Sequence, residues 1–129
     1  VGGTEQLQIY ARAVIAKLVS DSENELKALR ELIAFAQRAG PDVQQFLLER
    51  ARWELAKLVP DSEALTICSS LVLDHPDGRY PANALNLSAV ILLQLDDAES
   101  AKSKWEQLLM QYPNNLLADD ARQQLEQLQ

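Results

Sequence analysis

The sequence predicts an all-α chain of repeated helical hairpins, and three observations carry that prediction. Apolar residues recur at three- and four-residue spacing between Gly, Pro and Asp punctuation, as in amphipathic helices, while strict alternation persists nowhere and β-branched residues are few. The sequence also repeats itself. Leu85-x2-Ser88-Ala89-x2-Leu92, followed by Ala101-x3-Trp105 and Pro113, recurs as Leu48-x2-Ala51-Arg52-x2-Leu55, then Ala64-x3-Cys68 and Pro76. A weaker copy reads Arg12-x2-Ile15-Ala16-x2-Val19, then Ala28-x3-Leu32, with Gly40 near the place of the proline. Between the equivalent positions Ile9, Gln45 and Ala82 the periods are 36 and 37 residues, the length of a two-helix unit. Thirdly, 47% apolar and 24% charged residues, with four Gly and five Pro in 129, are globular values that leave little room for a linker.

Seven helices follow in order. The first, about Thr4 to Val19, carries Leu7, Ala11, Val14, Ile15 and Leu18 at helical spacing. The second begins at Ser22-x-x-Glu25, a capping box in which each side chain satisfies the other's free backbone N–H, and stops at Gly40-Pro41. Asp42-x-x-Gln45 opens the third in the same way, and Pro60 ends it. Asp61 or Ser62 caps a fourth running to about His75, where His75-Pro76-Asp77-Gly78 makes a turn. Pro81 sits at a first-turn position and opens the fifth helix, which ends at Leu95. Asp96-Asp97 caps the sixth, closing at Tyr112-Pro113. Asn114-Asn115 caps the seventh, Leu116 to about Leu128, whose one apolar face (Ala118, Ala121, Leu125, Leu128) fits a terminal cap.

The repeats resemble the tetratricopeptide repeat (TPR), a helix hairpin with small residues where its helices approach and a proline at its end. The likeness covers residues 9 to 113, in units of about 9–40, 45–76 and 82–113, with a capping helix over 115–128. It implies one domain over 1–129, a right-handed solenoid, and a non-catalytic function of binding other proteins. His75-Pro76-Asp77-Gly78 followed by Ala82 and Ala84, and Tyr112-Pro113-Asn114-Asn115 followed by Ala118 and Ala121, look like a pattern common in bacterial envelope TPR scaffolds. That likeness implies a periplasmic or envelope-associated module; the residues themselves leave the compartment open, with a cytoplasmic one as the alternative. Val1-Gly2-Gly3-Thr4 reads as the start of a module cut from a longer chain, with no secretory leader.

Charge and residue counts exclude several functions. The net charge is −7, all of it from residues 59–129, which hold four Lys or Arg against eleven Asp or Glu; residues 1–58 balance at eight and eight. Nucleic acid is therefore not an expected partner, because phosphate binding needs a cationic surface. One His and one Cys argue against a metalloenzyme, a disulfide or a Cys-His nucleophile, so no cofactor is expected. Asp96-Asp97 and Asp119-Asp120 read as helix caps. The uncharged stretch Pro81 to Leu95 is too short and too polar to span a bilayer.

The candidate site is a surface. In a TPR the first helix of each hairpin lines the concave face, and the matching positions here are Tyr10, Ala13 and Lys17, then Phe46, Glu49, Trp53 and Lys57, then Asn83, Asn86, Val90 and Gln94. Arg50 lies one position beyond Glu49 and is expected to reach the same groove. Flat aromatics, cations and carboxamides together suit a peptide or helix of a partner protein. Phe46 and Trp53 are either such anchors or core residues covered by the first helix. Self-association is the alternative function, with Val90, Leu93 and Trp53 meeting a second copy in a homodimer.

Overall fold

The computed structural model describes residues 2–39 and 45–129, and every regular element in them is an α-helix. The seven are α1 (Gly2–Leu18), α2 (Ser22–Ala39), α3 (Gln45–Ala56), α4 (Asp61–Asp74), α5 (Pro81–Gln94), α6 (Ala98–Gln111) and α7 (Ala118–Gln127). The number and order match the sequence reading. The expected stop at Gly40-Pro41 and the expected cap at Asp42 lie outside the described residues. Two ends differ from expectation. α3 stops at Ala56, where the Leu58 amide bonds the Leu55 carbonyl in a tight turn, because the residues before Pro60 are biased away from helical geometry. α7 starts at Ala118: the Asn115 side chain accepts from the Leu117 amide at 2.9 Å and so holds a turn ahead of the helix.

The chain divides into two compact units, residues 1–60 and 61–129. In the first, α1 and α2 form a hairpin and α3 packs against both. α1 turns Gln6, Ile9, Ala13 and Ala16 inward, against Ala28, Leu29 and Leu32 of α2. This corrects the sequence reading of α1. Leu7, Val14, Ile15 and Leu18 lie outside, 39% to 78% exposed, because the small Ala13 and Ala16 allow a closer helix approach than a stripe of large residues. Arg12 reaches Glu31 at 2.9 Å across the hairpin.

In the second unit α4, α5, α6 and α7 pack in sequence, each against the next. Its core joins Ala82, Leu85 and Ala89 of α5 to Ala101, Trp105 and Leu108 of α6 and to Ala118 and Ala121 of α7. Burying each large apolar side chain contributes about 1.5–3 kcal/mol, and the alanines set how close the helices come. Cys68 of α4 and Trp105 of α6, equivalent in the repeat, are both 1% exposed. The Tyr112 hydroxyl, at the end of α6, donates to the Pro76 carbonyl in the turn after α4 at 2.8 Å.

The α1–α2 and α5–α6 turns share one construction, residue by residue. Ser20 and Asp96 take left-handed backbone, with φ of 60° and 63°. The Ser20 and Asp96 amides bond the Lys17 and Leu93 carbonyls, and those of Asp21 and Asp97 bond Ala16 and Leu92, which closes the first helix of each hairpin. Asp21 and Asp97 then cap the second helix by accepting from the amides of Asn24 and Ser100 at 3.2 and 3.1 Å. The cap of α2 is thus Asp21 rather than the expected Ser22, and Glu25 plays no part in a capping box. This match pairs Ile9 with Leu85, Ala13 with Ala89, Glu25 with Ala101 and Leu29 with Trp105, all buried. It sets the first hairpin three residues away from the register the repeat alignment used.

Candidate functional site

Eight of the expected groove residues belong to the first unit, and one of them, Ala13, is buried, 4% exposed. Tyr10 and Lys17 of α1 and Arg50 of α3 line one cavity of about 180 Å³, together with Glu25 and Glu54. Helix periodicity brings them there: Tyr10 and Lys17 lie two turns apart on one side of α1, and Arg50 and Glu54 one turn apart on α3. Phe46 is 66% exposed, so the first helix does not cover it. Trp53 is half-buried, with the Lys57 ammonium 5.3 Å from its ring centroid, a cation–π distance. Glu49 is buried, 6% exposed, and belongs to the interior of α3 rather than to an open face.

Glu54 organises the charges, and the sequence reading passed over it. Its Oε2 accepts from Lys17 Nζ at 2.8 Å and lies 3.2 Å from Lys57 Nζ, with the side chain 12% exposed. Burial pushes the Glu54 carboxyl up, but the two lysines together outweigh that and hold it below the usual carboxylate range. The same hydrogen bond raises the Lys17 ammonium above its ordinary value. Both lysines expected to face a partner's acidic groups are therefore already engaged by a carboxylate of the chain itself. Glu54-x-x-Lys57 spacing carries a readable signal for one of these pairs. Lys17 to Glu54 carries none, since it depends on how α1 meets α3.

The other four expected residues, Asn83, Asn86, Val90 and Gln94, run along one side of α5 in the second unit. Val90 and Gln94 are exposed, and Asn83 is half-buried. Asn86 has a structural task, its Oδ1 accepting the buried Trp105 indole N–H at 2.9 Å. A separate cleft of about 180 Å³ between α4 and the α5–α6 hairpin is lined by Cys68, Ser88, Lys104 and Gln107 among others. Burial pushes the Cys68 thiol up, with a smaller opposing effect from its hydrogen bond with Ser88, so the sulfur is a packed core atom and a poor nucleophile.

Among the described residues no three His, Cys, Asp or Glu side chains come together as a metal site would need. No helix among them is long and apolar enough to cross a membrane. Asp97 acts as a cap, and Asp119 pairs with Arg122. A scan against protein-family models finds no match, and a search of curated proteins finds no relative.

Proposed function

We propose that the chain is a TPR-like, non-catalytic interaction module that binds a peptide or helix of a partner protein, its repeats forming one right-handed solenoid. The observation that supports this best is the convergence of Tyr10, Lys17 and Arg50, from two helices, on one cavity. Exposed Phe46 and Val90 add apolar contact area of the kind interface centres use. The envelope setting rests on the turn motifs at His75-Pro76 and Tyr112-Pro113 alone. Selection of displayed random peptides on the immobilised chain tests the reading. Selected peptides should lose about tenfold or more in affinity for Tyr10→Ala, in line with the roughly 2 kcal/mol that aromatic anchors contribute, with circular dichroism unchanged. Failure to enrich any peptide would sink it.

Self-association is kept as a second reading because Leu7, Ile15, Leu18 and Val19 leave an apolar face of α1 open, 51% to 78% exposed. Light scattering coupled to size exclusion separates the two. A dimer that Ile15→Asp converts to monomer favours this second reading; a monomer at all concentrations excludes it.

A further inference from the structure

Glu25 is the residue that the repeat does not explain. Its equivalent in the α5–α6 hairpin is Ala101, 0% exposed, and the matching repeat position in α4 is Ala64, 2% exposed. A carboxylate there breaks the local rule that the other two copies keep, and such conflicts concentrate at functional positions. Glu25 is 7% exposed. Asp21 does the capping, so Glu25 is not needed for the helix start. Its carboxylate forms no hydrogen bond or ion pair with another described residue, and Lys17 acts on it only through space. Yet no fully buried side-chain polar atom among the described residues lacks a partner. Glu25 lines the cavity with Tyr10, Lys17, Arg50 and Glu54.

The charge state of that lining selects a ligand. Glu54 is taken by Lys17 and Lys57. Arg50 is an exposed cation at the rim. Glu25 is the other carboxylate of that lining, more than nine-tenths buried, where its interaction with a charge is screened less than at an open surface. An anion placed there would face Glu25 at close range. A cation would pair with it and gain an aromatic wall from Tyr10. About 180 Å³ admits the end of one side chain and not a folded surface. We propose that this cavity receives a protonated alkylamine of a partner polypeptide, a lysine side chain or a free N-terminus, with Glu25 as counter-ion. This rests on the peptide-binding reading and specifies its partner's chemistry.

The test is a titration of the isotope-labelled full chain, followed by amide chemical shifts, with Nα-acetyl-lysine methylamide and with its uncharged analogue Nα-acetyl-norleucine methylamide. The lysine compound should give saturable shifts at Tyr10, Glu25 and Arg50, and the norleucine compound should bind at least tenfold more weakly. Glycine methylamide, which offers only an α-amine, distinguishes the two sources by which binds more tightly. Glu25→Gln should weaken lysine binding at least tenfold. Glu25→Ala should abolish it while melting no lower than the parent, because alanine (Ala101) occupies that place in the α5–α6 hairpin. Equal binding of lysine and norleucine, or unchanged binding to Glu25→Gln, overturns the proposal. If displayed peptides are enriched, lose affinity with Tyr10→Ala, and bind Glu25→Gln as well as the parent, the amine site falls and the peptide-binding reading stands. If no peptide is enriched, both fall.

Discussion

Asn86→Ala should destabilise the second unit through Trp105. The indole belongs to a side chain only 1% exposed, and its N–H donates to Asn86 Oδ1 at 2.9 Å. Truncating Asn86 leaves that donor buried without an acceptor, which costs about 1–3 kcal/mol. Little else opposes the change, since alanine is the better helix former by a few tenths of a kcal/mol, roughly. A net loss of about 1–2 kcal/mol follows, read as a melting point lower by about 4–8 °C per kcal/mol for a unit of this size. A double-mutant cycle with Trp105→Phe isolates the bond: phenylalanine removes the N–H, so Asn86→Ala should cost nothing in that background. Urea unfolding followed by far-ultraviolet circular dichroism supplies all four stabilities. Equal costs in the two backgrounds, or no cost in either, would refute the reasoning and leave Asn86 available as a binding residue.

Three further outcomes are expected. Ala89→Leu should cost about 1–3 kcal/mol by overpacking a fully buried site between α5 and α6, whereas Ser88→Ala, which removes one hydroxyl beside Cys68, should cost less; chemical denaturation ranks them. Removing residues 115–129 should cause aggregation or a large drop in melting temperature, because Ala118 and Ala121 close the core around Trp105; light scattering during heating shows it. The Glu54 carboxyl is depressed in the folded chain, so its contribution is present above the ordinary carboxylate value of 4.5 and is lost as pH falls through the lower folded value. Stability measured against pH should therefore fall less steeply on acidification for Glu54→Gln than for the parent.

Helix number and order were legible because the stops and starts are local chemistry: Pro81 in a first turn, Asp97 accepting its own helix's amide, a turn at His75-Pro76. What periodicity could not decide was which side of α1 faces inward. Leu7, Val14 and Leu18 form one apolar stripe and Ile9, Ala13 and Ala16 another, and only the approach of α2 chooses the smaller one. The same ambiguity displaced the first repeat's register, since Ala16 and Ala28 imitate the alanines of the later copies. For the candidate site, spacing along one helix was readable and pairing between helices was not. Tyr10, Lys17 and Arg50 were found by position, but the capture of Lys17 by Glu54 and the use of Asn86 by Trp105 depend on tertiary packing. Glu25 was misread for a related reason: a capping box and a buried carboxylate look alike until Asp21 is seen to hold the cap.

Asp21 and Asp97 each serve as the last residue bonded to one helix and the first that caps the next. Exposed turns are ordinarily where proteases nick a chain, because a few residues can be drawn out into an extended strand without disturbing their neighbours. Here there is no slack to draw out. Extending the chain at Ser20 or Asp96 strips amides from the end of one helix and the cap from the other at once, so a cut requires both helices to fray together. These two short connections are thus expected to be hard to cleave, and digestion kinetics at them should report hairpin unfolding rather than loop motion.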